Sequence, residues 1–316
     1  MKMKQMNKLR ADQGGFTLLE LLVVITLIAA LAVGALIAYD GVGDKAQAAA
    51  AADSNVKVDN AIRQYKAVTN AYPNQWDNLT SVTGASLITA LPTQLTTIIS
   101  SWTLGAAASN VTSSLGRAGI NELQYWNSPA ASANTTGVIP NLAHNESFNP
   151  ANALEQEHFE DGGIGADGPI ANIAVVPGLT GCQADGVALP ITPADTNFPA
   201  GNDNYLQNRY SDSLEGDECH LVVALGFGSD AAASTTNSSV SIGKAPSFSK
   251  TDTANPANNV DPNQNYSRYI GLFLVGSDQD DNNITGSEYL AKAKLLTIIA
   301  PDGTIADQNL ATAVQN

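Results

Sequence analysis

The sequence predicts an α+β protein in which a long N-terminal helix, apolar in its first half and amphipathic in its second, packs on a mostly antiparallel β-sheet. Three observations carry that expectation. Residues 16–39 form an apolar run in which Glu20 is the only formal charge. The segment after Gly43 is rich in helix formers and places Val58, Ile62, Tyr65 and Val68 at intervals of three or four, the period of one helix face. Four short apolar runs rich in β-branched residues, at 170–177, 220–227, 268–276 and 293–301, are separated by polar connections, the pattern of strands in one sheet.

The apolar run comes first in the chain. As a helix rising 1.5 Å per residue it would span roughly 36 Å, more than the ~30 Å hydrocarbon core of a bilayer. Lys2, Lys4, Lys8 and Arg10 precede it against the single acid Asp12, so residues 1–15 are expected on the cytoplasmic side and the rest of the chain outside. A secretory signal would carry its small cleavage residues after the apolar run. Here the small pair Gly14-Gly15 stands before it.

Residues 14–31, "GGFTLLELLVVITLIAAL", resemble the type IV pilins and the pseudopilins of type II secretion. Their precursors carry a short basic leader ending in Gly, then Phe, a Thr-Leu-Leu-Glu run and an apolar helix. The resemblance implies cleavage between Gly15 and Phe16 by a prepilin peptidase, N-methylation of Phe16, and an assembly role for Glu20. The residues agree physically with that role. A carboxylate within a membrane segment usually has a partner, and cleavage before Phe16 creates an amine at nearly the same depth. Without that context, Glu20 would simply reach back to the cytoplasmic interface. Residues 16–60 lack the proline that many pilins carry in this helix, which leaves Gly34 and the Gly41-Val42-Gly43 stretch as its weak points.

The amphipathic half is expected to end at Pro73 and to offer the globular domain its apolar stripe. This divides the chain into a leader, 1–15, a long helix, 16–72, with its membrane or filament-core part at 16–39, and an exported α+β domain, 73–316. The Tyr-Pro pair in "AYPNQWDNL" resembles the turn that follows this helix in many relatives. "LPTQLTTIISSW" at 91–102 and "INELQYW" at 120–126 read as short helical pieces, 131–168 as mostly irregular, and 228–265 as an exposed polar loop. Cys182 and Cys219 are the only cysteines. An isolated pair in an exported chain suggests a disulfide, which would close a 36-residue connection and contribute about 4 kcal/mol by chain entropy.

The formal charge is −15, and beyond residue 15 it is −18, with 11 basic against 29 acidic residues. Such a surface repels phosphate backbones, and no Lys/Arg cluster interrupts it, so no nucleic acid is expected as a partner. In "SDQDDNNITGSE", Asp278, Asp280 and Asn282 alternate, with Asp281 and Glu288 nearby. Hard oxygen donors at this spacing could hold Ca²⁺, and calcium loops occur in major pseudopilins. The EF-hand pattern fails, because Asn283 and Tyr289 stand where Gly and the bidentate acid belong, so a solvated acidic loop without a cofactor is the default. "EQEHFEDGG" gathers Glu155, Glu157, His158, Glu160 and Asp161, but His144 and His220 are distant in sequence. "GFGS" at 226–229 lacks the third glycine and the helix of a phosphate loop. No constellation makes an active site, and no enzyme is expected.

The expectation is a structural subunit of a type IV pilus or pilus-like filament. It would be made as an inner-membrane precursor held in lipid, processed by prepilin peptidase, handled by an inner-membrane assembly platform, and joined to copies of itself in an extracellular or periplasmic fibre. A type II secretion pseudopilin is the alternative within the family. An anchored adhesin or ligand-binding module is the alternative outside it.

Overall fold

The structure is a computed structural model that describes residues 17–39, 42–80, 86–124, 164–165, 168–191, 207, 209–210, 214, 218–252, 255–278 and 280–314. It divides into two compact units, Met1–Ala46 and Gln47–Asn316. The first contains helix α1, Leu18–Tyr39. Helix α2, Val42–Thr69, begins there and runs into the second. The second unit adds strands β1 (Trp76–Asn78), β2 (Ser100–Thr103), β3 (Leu123–Gln124), β4 (Ile164–Gly165), β5 (Gly168–Pro169), β6 (Asn172–Val176), β7 (Gln183–Ala184), β8 (Val187–Ala188), β9 (His220–Gly226), β10 (Ile270–Ser277), β11 (Asn283–Ile284) and β12 (Tyr289–Ile299). Its other helices are α3 (Thr93–Thr96), α4 (Ala108–Arg117), α5 (Ser229–Ala233) and α6 (Ala306–Val314).

The α+β expectation holds, and the four apolar runs become β6, β9, β10 and β12. The main sheet runs β12-β10-β9-β1-β3, with β6 also on β9 and β2 on β6. Every pairing in it is antiparallel except β1 with β3. β9 and β10 are central and buried on both faces, which is why they read as continuous apolar runs instead of alternating ones. Leu221, Val223 and Leu225 enter the core on the helical side with Val58, Ile62, Val111 and Leu115. Val222 and Ala224 point the other way, into a second core with Leu95, Ile99 and Leu272.

Helix α2 departs from its predicted stripe. Ala51, Asn55, Val58 and Ile62 are buried, Tyr65 is half-buried, and Val68 is 60% exposed. The reason is rotation. Val68 lies six residues past Ile62, about 240° around the helix, whereas the buried residues follow spacings of four, three and four. The helix stops at Thr69, before Pro73, because Asn70 takes a left-handed φ of 61°, a common ending for this residue. The Tyr72 hydroxyl then accepts from the Lys66 ammonium and from the Leu295 N–H, and Arg63 donates to the Leu296 carbonyl. These bonds cover part of the open edge of β12, where residues 290–293 bulge and Lys292 and Lys294 discourage further strand pairing.

Other expectations are corrected. Only Thr93–Thr96 of the 91–102 piece is helical. Its last three residues, Ser100, Ser101 and Trp102, enter β2, and the 120–126 piece contributes β3 instead of a helix. Helices α4, α5 and α6 are not expected from the sequence, since Ser, Asn and Thr are poor helix formers, and α5 opens at Ser229, where no helix is expected after "GFGS". α4 forms because packing rewards its one buried face, Val111, Thr112, Ser114 and Leu115. The 228–265 connection is not simply exposed: Phe248 and Val260 belong to the helical-side core, and Asn and Asp side chains satisfy the backbone around them. Most of 131–168 lies outside the described residues.

"GFGS" finds its explanation in packing. A side chain at Gly226 would strike the Tyr266 hydroxyl, and one at Gly228 would strike the Asp77 carboxylate. Between them the Tyr266 hydroxyl donates to Asp77 at 2.7 Å in a fully buried setting. Burial raises the phenol's pKa well above its ordinary value, and Asp77 adds to it. Burial likewise pushes Tyr269 up to about 12, and it raises Tyr289, which donates to Asp185 at 2.8 Å. The unfolded chain therefore loses phenolic protons first, near pH 10, while the folded chain keeps them. We expect the melting temperature to be insensitive to tyrosine ionisation below about pH 10 and to fall between about pH 10 and 12. The phenolate absorbance of Tyr266, Tyr269 and Tyr289 should rise with unfolding, not before it.

Candidate assembly and processing site

In the first unit, the helix start is built by two side chains. Thr17 precedes α1, and its N–H and hydroxyl donate to Glu20 Oε2 at 2.9 and 3.1 Å, while the Glu20 N–H donates to Thr17 Oγ1 at 3.3 Å. This reciprocal pair is a capping box, which satisfies N–H groups that a helix start otherwise leaves open. The pattern Thr-x-x-Glu before an apolar run is the sequence signal for this cap, which the charge of Glu20 alone does not reveal. Glu20 thus serves its own helix through one carboxylate oxygen. Its other oxygen accepts no hydrogen bond from the described residues.

Beyond the cap, α1 presents an uninterrupted apolar surface. Leu18, Leu19, Leu21, Leu22, Val23, Val24, Ile25, Leu27, Ile28, Leu31 and Val33 are all exposed. Leu18–Ala35 is long and apolar enough to cross a membrane. The Thr26 hydroxyl is returned to the Val23 carbonyl at 2.9 Å, so it adds no open polar group to that surface. A side chain at Gly34 would meet nothing within 4 Å. Gly15 and Phe16, where cleavage is expected, lie outside the described residues.

The other predicted residues fall in the second unit. Cys182 and Cys219 are joined, with Cα atoms 5.6 Å apart, and are buried to 1% and 0% exposure. Asp278, Asp280 and Asp281 can bring one carboxylate oxygen each to within 4.8 Å of the others. The N–H of Asn282, the residue predicted as a ligand with Asp278 and Asp280, donates to Asp278 Oδ2 at 2.6 Å, and the N–H groups of Asp280 and Asp281 approach Oδ1. Burial disfavours the Asp278 carboxylate, yet these N–H donors and Glu288 hold its pKa below the usual range. The backbone thus already supplies this carboxylate with donors. His144 and the 155–163 cluster lie outside the described residues. His220 is buried against Ser277, with no second histidine beside it among the described residues.

In comparison with known proteins, the family model for the prokaryotic N-terminal methylation motif matches residues 10–36. No curated protein and no solved structure matches the chain. The matched segment contains residues 10–15, the Gly15-Phe16 pair, the Thr17–Glu20 cap and most of α1. It is the type IV pilin and pseudopilin signature, and with the α+β unit that follows it marks a pilin- or pseudopilin-like protein.

Proposed function

We propose that this chain is a structural subunit of a type IV pilus or pilus-like filament, with no catalytic role. The observation that carries the reading is the methylation motif at residues 10–36, which combines a cleavable glycine, an acid and an apolar helix in one stretch. The precursor sits in the inner membrane through α1, with its acidic domain outside. Prepilin peptidase cuts between Gly15 and Phe16 and methylates the new amine. An inner-membrane platform then transfers the subunit from lipid into the fibre. The apolar surface of α1 exchanges lipid for the same surface of neighbouring copies, and the free oxygen of Glu20 meets the amine of a neighbour.

Two measurements test this reading. Mass spectrometry of the mature chain should find an N-methylated Phe16 as its first residue; an intact leader, or a cut after Ala38, would sink the processing step. Electron microscopy with antibody against the domain should find the chain in fibres. Failure of protein export with surface fibres intact would instead make it a secretion pseudopilin. Incorporation into no fibre at all would favour an anchored adhesin. We further expect the domain to work without calcium: its melting temperature should be the same, within a degree or so of scatter, in millimolar calcium and in chelator.

A further inference from the structure

The acidic stretch that follows β10 packs against the disulfide. The Asp278 N–H donates to the Cys219 carbonyl at 2.9 Å. Asp278 then gathers the N–H groups of residues 280–282, which turns Asn282 into a left-handed conformation with φ of 64°. In that position the Asn282 side-chain and backbone oxygens lie 3.6 and 3.9 Å from Cys219 Sγ. From there the chain is fastened to the hairpin that follows Cys182. The Gln183 N–H donates to the Asn282 carbonyl at 2.8 Å, β11 pairs in parallel with β7, and the Gly186 N–H donates to the Asn283 side chain at 2.9 Å. One short segment thus covers one sulfur and is fastened beside the other.

We propose that residues 280–284 are a strap that seals the Cys182–Cys219 disulfide against thiol exchange, so that the bond is made before the strap closes and is inert afterwards. Exchange requires an external thiolate to reach a sulfur, form a mixed disulfide and expel the other cysteine as thiolate; a second thiolate then completes the reduction. Burial of both sulfurs blocks the first of these steps. In the forward direction, two cysteine thiols must pass their electrons to an external disulfide, which leaves as two thiols. That partner needs the same access. The chain is therefore a substrate for thiol oxidation only while the strap is open, and Asp278 is the residue that positions the strap.

The test uses the full chain in detergent micelles, incubated with dithiothreitol in native buffer, with freed thiols trapped by a polymer-linked maleimide and counted on a gel. Wild type should be reduced slowly, and the chain in concentrated urea quickly. Asn282→Gly accepts the left-handed backbone but removes the side chain over the sulfur; it should be reduced at least about tenfold faster than wild type by local opening. Asp278→Ala should do the same, and Asp261→Ala, which alters a turn in another loop, should react at the wild-type rate. If Asp278→Ala fails to fold, Asn282→Gly decides. The proposal is overturned if native wild type reacts as fast as the urea-unfolded chain, or if Asn282→Gly keeps the wild-type rate. It is equally overturned if that variant's acceleration is matched by its loss of global stability in urea.

Discussion

Replacing Glu20 by glutamine should reduce incorporation into filaments to roughly a tenth of wild type or less while leaving membrane insertion and the helix start intact. The prediction separates two jobs of one side chain. As the third residue of the helix, in a capping box with Thr17, glutamine can still accept from Thr17, so the helix start survives. What glutamine cannot do is neutralise an amine. In the apolar setting between packed helices, a charge left without its partner is penalised far more than the same charge in water, so the neighbour's amino terminus would resist docking. Glu20→Ala removes both the charge and the cap and should be no better than Glu20→Gln. Electron microscopy of fibres, with antibody labelling of this chain, reads the outcome, and membrane fractionation confirms that the precursor is still inserted. Normal fibres from Glu20→Gln would mean that the carboxylate serves only its own helix, and the assembly contact would have to lie elsewhere on α1.

The N-terminal unit was legible because its constraints are local and one-dimensional. A bilayer fixes how many apolar residues a helix needs, and a charge inside that run stands out by its cost. The central strands were legible for a related reason: β9 and β10 are buried on both faces, so their sequences carry no polar alternation to confuse them. What the sequence concealed depends on tertiary contacts. Val68 fits a helical stripe by spacing alone, yet the sheet contacts a face centred on Val58 and Ile62. α4 has the composition of a turn and becomes a helix because Val111 and Leu115 fill the core. Gly226 and Gly228 fit no phosphate loop and had no reason in the sequence, and their reason for being glycine is the Asp77–Tyr266 bond, whose partners are 189 residues apart. The strap over the disulfide is of the same kind, because its acids read as solvated or metal-binding until Cys219 is seen beneath Asn282.

The largest effect on stability is expected at a residue that periodicity could not single out. Trp76 is fully buried at the point where the turn after α2 meets the sheet. Its ring packs edge-on against Phe273 at 5.0 Å and Phe227 at 5.2 Å, Phe273 in turn meets Tyr72 at 5.2 Å, and the indole N–H donates to the Pro73 carbonyl at 2.8 Å. Gly271 of β10 lies against the indole, where a side chain would come within 2.8 Å of the ring, so β10, one strand removed from β1, is already packed close to it. Trp76→Ala should therefore leave a void that the sheet cannot close, at a cost of about 3–5 kcal/mol, a large share of the ~5–15 kcal/mol that holds a typical domain together. Trp76→Phe keeps most of the ring contact but removes the donor to Pro73, and should cost about 1–3 kcal/mol. Urea unfolding of the two variants, followed by circular dichroism, checks the order. If Trp76→Ala costs no more than Trp76→Phe, the turn after α2 and not the aromatic cluster is what joins the helix to the sheet.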